Sequence, residues 1–181
     1  MSLLNRIKNR VGLFFLQRAL RKQVRNRAFC NFDSAKTIGV LFDASHQESY
    51  MTTKAFIASL QQKRIDAKGL GYVATQEALE YFPAHENIQF FSLKANNWYF
   101  KPISNEVVDF ITKKIDILID LTMLDALQLK FIVGLADAKL KLGSRSTDLF
   151  YYDFIIDMKG KDNLRFYIGQ VNHYLSTVKS A

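Results

Sequence analysis

Three side chains of this sequence have the types and placement to carry chemistry together: Asp43, His46 and Asp120. Asp43 closes the apolar run "KTIGVLFD" and is followed by Ser45, His46 and Glu48. Asp120 closes "IDILID" and is followed by Thr122, and Asp157 stands near the end of "LFYYDFIIDM". Open α/β sheets bind ligands outside the carboxyl ends of their strands, so acids there can mark a cation or nucleotide site. Asp is equally common at strand ends and helix caps. That structural role is the reading taken here. A small glycosyltransferase-like or nucleotide-binding enzyme using Asp43, His46 and Asp120 stands as the alternative.

Other constellations are missing. No GxGxxG follows a strand, no GxxxxGK[ST] is present, and "GLGY" lies inside a strand pattern. His46, His85 and His173 are far apart and lack metal-ligand spacing. No metal and no cofactor is therefore expected. Cys30 is the only cysteine, which excludes an internal disulfide framework and a Cys-based metal cluster. Beside Phe29 and Phe32 it reads as packing, although Arg25 and Arg27 would lower its pKa. Trp98 and Tyr99 with Lys101 resemble a patch on which bases stack, but such clusters more often pack a loop across a sheet edge.

A second set of residues acts by charge. Arg6, Lys8, Arg10, Arg18, Arg21, Lys22, Arg25 and Arg27 all precede Asp33, the first acid. The remaining 17 of the 25 Lys and Arg match the 17 Asp and Glu, so the whole net charge of +8 belongs to residues 1–32. At about 100° per residue, Leu13, Leu16, Leu20 and Val24 share one helical side, and Arg18, Arg21, Lys22 and Arg25 share the other. Leu3, Leu4, Ile7, Val11, Phe14 and Phe15 form a different stripe upstream. The stripes change over at Gly12, a weak helix former, so two helical pieces bending there are expected. The second piece would lay its apolar side on the body, and the first would grip a partner groove or a lipid surface. Helices that need only solubility mix charge signs, so a stripe without acids points to a polyanion. An acid-free, Arg-rich start also resembles a transit peptide, but it contains a single Ser.

These residues need a scaffold, and the rest of the chain supplies alternating patterns. Strands are expected at 36–43, 67–74, 88–93, 115–122, 138–144 and 149–158, as short apolar or β-branched runs. Amphipathic helices are expected at about 48–63, 105–114, 123–136 and 163–178. That order predicts an α/β fold: a three-layer Rossmann-like sandwich with a mainly parallel sheet, preceded by a basic N-terminal helical extension. The expected boundary lies at 31–36, between an extension at 1–32 and a single domain at 36–181. At 49% hydrophobic and 23% charged the composition is globular, and no apolar run approaches the roughly 18 residues of a spanning helix.

"IDILIDLTMLDALQLKFIVGLADAKLKLG" (115–143) resembles a segment of the N-terminal Rossmann-type half of heptosyltransferases, the lipopolysaccharide glycosyltransferases. Their donor-binding second domain has no counterpart among these residues, so the resemblance implies the fold and argues against that activity. Over nearly its whole length the chain is similar to a family of short uncharacterised proteins of Bacteroidota. The basic N-terminus, "IGVLFDAS", "LKFIVGLADAKLKLG" and "YYDFIID" carry that similarity. It implies a cytoplasmic bacterial protein and supplies no catalytic residues. The function expected is non-catalytic. The N-terminal helices would attach the domain to a polyanion, ribosomal or other structured RNA first, and an anionic membrane surface at the inner face second.

Overall fold

A computed structural model describes residues 3–73, 75, 85–92, 95–144, 150–158, 160 and 163–178. The chain is an α/β three-layer sandwich built on a six-stranded parallel sheet. The strands are β1 (Thr37–Asp43), β2 (Asp66–Val73), β3 (Ile88–Ser92), β4 (Ile115–Asp120), β5 (Ala138–Gly143) and β6 (Phe154–Ile155). Their order across the sheet is β3-β2-β1-β4-β5-β6. The helices are α1 (Leu3–Lys22), α2 (Gln47–Gln62), α3 (Asn105–Thr112), α4 (Leu127–Leu135) and α5 (Leu164–Thr177).

Alternation along the strands divides the core in two. Ile38, Val40 and Phe42 of β1, with Ile117 and Ile119 of β4 and Leu140 and Leu142 of β5, pack against α2 and α5. Leu41, Leu70 and Leu118 point the other way, against Val107 and Phe110 of α3 and Leu129, Ile132 and Val133 of α4. Both faces are covered, so the strands read as continuous apolar runs. That pattern made β1 to β5 visible in sequence.

Four expectations need correction. The run 149–158 pairs through only two residues, Phe154 with Leu142 and Ile155 with Gly143, so β6 is a short edge strand. The helix expected from Met123 begins at Leu127, because Met123 holds a positive φ of 51° and the chain turns there. The N-terminal segment is one continuous helix, not two pieces bending at Gly12. Its Leu, Arg, Lys and Gln favour a helix, and Arg21 and Lys22 in the last turn complement the dipole. The thiol of Cys30 shifts up rather than down, through burial first and the Asp116 carboxylate second. Ala74, Leu93 and Leu149, at the ends of expected strands, lie outside the described residues.

Helix α1 lies outside the sandwich, on α4. Leu16 is fully buried against Leu127 and Phe131, with Leu20, Tyr99 and Phe100 around them. The helices run in the same direction: Gly12 meets Leu127, Leu16 and Leu20 meet Gly134, and Gln23 donates to the carbonyl of Leu135 at 2.8 Å. A Cβ on Gly12 would lie 2.4 Å from the Tyr99 carbonyl oxygen and 2.6 Å from Leu127 Cδ2. Glycine is thus the residue that permits this approach.

The junction at 28–37 is packed into the body. The Ala28 N–H donates to the Lys139 carbonyl on β5, ahead of the pairing with β6. Cys30, Phe32 and Ala35 are buried in the α2/α5 core, and the Asn31 amide donates to the Val178 carbonyl at 3.0 Å. Asp116 of β4 then ties the strand starts together. It accepts from the Lys36 and Thr37 N–H groups at 2.8 and 3.0 Å and pairs with Lys139 at 2.8 Å. Burial opposes ionisation of this carboxyl, but the Lys139 ammonium and the two N–H groups outweigh it and hold its pKa below the usual value.

Candidate functional site

Successive strands leave β1 in one direction and β4 in the other, so a crevice opens beyond the carboxyl ends of these neighbours. A cleft of about 340 Å³ occupies it on the α2/α5 side. Its walls are Asp43 at the end of β1, His46, Glu48 and Ser49 opening α2, Thr122 after β4, and Arg165 at the start of α5.

The geometry gives most of these groups a local task. Asp43 accepts from the Ser45 N–H at 2.8 Å, and its carbonyl accepts from the Ser49 hydroxyl, so it turns the chain from β1 into α2. Asn163 caps α5 by accepting from the Phe166 N–H at 3.0 Å. Glu48 and Arg165 face each other at 3.5 Å, both exposed. His46 occupies the N-cap position of α2 without a side-chain capping bond, and it is exposed. Among the described residues no group of three or more His, Cys, Asp and Glu could hold a metal ion.

The structure brings Asp43 and His46 together and sets Asp120 apart. Asp120 is buried and does not line the cleft; it accepts from the Tyr152 hydroxyl and, at 2.9 Å, from the Thr122 N–H. Tyr152 reaches it by lying flat on Gly143, where a Cβ would meet the ring at 2.5–2.7 Å. The nearby Tyr167 hydroxyl is fully buried, and burial and then the Asp120 charge raise its pKa well above the ordinary value. Asp120 therefore ties β4 to the segment that forms β6. Asp157 is exposed and His173 lies exposed on α5.

The basic residues also divide. Arg6, Arg10, Arg18, Arg21 and Lys22 are exposed along α1, and Lys8 is half-buried. Arg25 follows the end of the helix, and its side chain, 8% exposed, pairs with Asp153. Arg27 reaches the same carboxylate at 3.7 Å with most of its side chain in solvent. Val24, expected to dock, is 98% exposed because the helix stops at Lys22; Gln23 makes the contact instead.

A second apolar set on α1 stays uncovered. Leu3, Leu4, Ile7 and Phe14 are exposed, Phe14 by 59%. At 100° per residue, Leu3, Ile7, Arg10, Phe14, Arg18 and Arg21 lie in one arc opposite Gly12, Leu16 and Leu20. Phe15 stacks on Tyr99 at 4.8 Å between ring centres, and Trp98 meets Tyr99 edge-on at 5.3 Å. The aromatic loop thus holds α1 in place and extends the outer surface. Among the described residues no helix is long and apolar enough to cross a membrane.

Sequence reasoning missed Lys141, buried in β5 at 2% exposure. The signal was present in "AKLKLG": a lysine inside a strand that a parallel sheet covers on both faces. Neither a curated protein nor a solved structure matches the chain. A family model matches residues 8–178, and the chain belongs to that family, a family of unknown function (DUF6913).

Proposed function

We propose that the chain is a peripheral protein of an anionic membrane surface, with α1 lying on the lipid and the α/β body as its scaffold. One observation carries this reading: Leu3, Leu4, Ile7 and Phe14 are exposed on α1 among Arg10, Arg18 and Arg21, with no acid anywhere on the helix. Covering an apolar side chain of this size contributes about 1.5–3 kcal/mol. A basic side chain near an anionic surface contributes about 1 kcal/mol. Lipid satisfies both needs on one face: acyl chains take the apolar groups, and headgroup phosphates take the guanidinium groups.

Structured RNA is the second reading. It accounts for the cations, and Phe14, Phe15, Tyr99 and Trp98 offer rings for base stacking. It leaves Leu3, Leu4 and Ile7 without a use. An enzymatic role at the cleft would rest on Asp43 and His46 without Asp120, and the hydrogen bonds of Asp43 already serve the turn into α2.

Flotation with phosphatidylglycerol vesicles and co-sedimentation with ribosomes, at about 50 and 200 mM salt, separate the two. The membrane reading expects the wild type to float and the pair Leu4→Asp, Ile7→Asp to stay behind. Ribosome binding that survives this pair and is lost on reversing Arg10, Arg18, Arg21 and Lys22 to Glu would replace it with the RNA reading.

A further inference from the structure

Beyond the end of α1 the chain lays Arg25 and Arg27 over the last turn of α4 and the middle of β5. A cavity of about 240 Å³ opens between them. Among the described residues, Arg21, Arg25, Arg27 and Lys141 line it with a single carboxylate, Asp153. That carboxylate is already engaged by Arg25, by Arg27 and, at 2.9 Å, by the backbone N–H of Lys141. Four cations therefore face one acid.

Lys141 is the unusual member. Leu140 and Leu142 fill the core on the opposite face, and position 141 points toward α4, where an apolar residue would pack. An ammonium is buried there instead, donating to the Gly134 carbonyl at 2.7 Å. Burying a cation among cations costs free energy unless an anion joins it. The space beside it is smaller than a drug-sized pocket, so it suits a small ligand rather than a polymer.

We infer that this cavity binds the phosphate of a small phosphomonoester, held by Arg21, Arg25, Arg27 and Lys141. Guanidinium groups match a tetrahedral oxyanion with paired N–H donors, and Lys141 adds a point charge from below. Only Arg21 is shared with the outward face of α1; Arg25, Arg27 and Lys141 lie outside that face. Its ligand has two sources of the same chemistry, a soluble ester or the headgroup of phosphatidic acid.

Protonation follows the same geometry. Burial, then the Arg25 charge, push the Lys141 amine down to about 7; Arg27 adds to the push, and Asp153 and Asp137 oppose it. The charged and titratable groups that face Lys141 are Arg21, Arg25, Arg27, Asp137, Asp153 and Tyr151. Lys141 gains its charge as the pH falls through that value, so anions bind more tightly below pH 7 than above it.

The test uses sulfate, whose charge is constant over this range, on the full chain. Thermal unfolding is followed against sulfate, with sodium chloride at equal ionic strength as the reference. Sulfate is expected to stabilise saturably, more at about pH 6.5 than at 8.5. Arg27→Ala and Lys141→Met should each weaken it about tenfold, and Lys141→Met should also remove the pH dependence. Arg27 is exposed, so its variant keeps the test open if Lys141→Met does not fold. Competition by glycerol 3-phosphate identifies a soluble source; competition by short-chain phosphatidic acid alone identifies a headgroup. An absent saturable effect, or wild-type affinity in Arg27→Ala, overturns the proposal. Sulfate binding that neither ester displaces makes the cavity an adventitious ion site only, and overturns it equally.

Discussion

One missing methyl group governs how α1 meets the body. At Gly12 the obstacle to a side chain is the backbone oxygen of Tyr99, which cannot rotate away. Gly12→Ala should destabilise the protein by about 1–3 kcal/mol, the usual cost of forcing a group into a filled contact. Gly169 is the control. It lies inside α5, is exposed, and would bring its Cβ within 4 Å of nothing. Gly169→Ala should stabilise by up to about 1 kcal/mol through helix propensity. Urea midpoints of the two variants should therefore move in opposite directions. Lys141 makes a prediction of a different kind. Its amine titrates near 7 when folded and near 10.4 when unfolded. Between those values the unfolded chain binds more protons, so this residue makes stability rise with pH. Urea midpoints between about pH 7 and 9.5 should climb in the wild type and stay flatter in Lys141→Met.

Helices on a sandwich normally keep one polar face, and α4 does not. Leu129, Ile132 and Val133 cover the sheet, while Leu127 and Phe131 face α1. A helix with apolar groups on two sides must be covered on both, so α1 completes a layer. The sequence expectation of a separable body at 36–181 meets this at the level of packing. A chain starting at Ser34 would lack Leu16, Cys30 and Phe32, and would bare Leu127 and Phe131. It should unfold at lower urea than the full chain and self-associate, as measured by circular dichroism and sedimentation velocity. A monomer with the full chain's midpoint would return α1 to the role of an appendage.

Across the whole molecule, what was legible followed from how far a signal reaches. β1 to β5 and the helices 47–62, 105–112 and 164–177 showed in the sequence because burial on one or both faces writes a local period. β6 showed only as an overlong run, since "YYDFIID" is apolar for packing and only two of its residues pair. Gly12 misled because helix propensity is a local average, whereas its role is set by Tyr99 and Leu127 far along the chain. The candidate trio came apart for a related reason. Asp43 and Asp120 both end strands, but whether each opens to the cleft or turns to Tyr152 depends on packing partners that no spacing encodes. The basic face of α1 was legible at Arg18, Arg21 and Lys22 and lost at Arg25, which lies past the helix end.

The bond from Gln23 to the Leu135 carbonyl spans 112 residues of sequence. During synthesis the two ends of that bond are therefore made far apart in time. At about 5–20 residues per second, α1 leaves the ribosome on the order of ten seconds before α4 exists to receive it. Through that interval both of its apolar sides, the one destined for Phe131 and the one that stays outward, face whatever lies near the nascent chain. Whichever surface α1 is made to meet, it can meet before its own domain has folded.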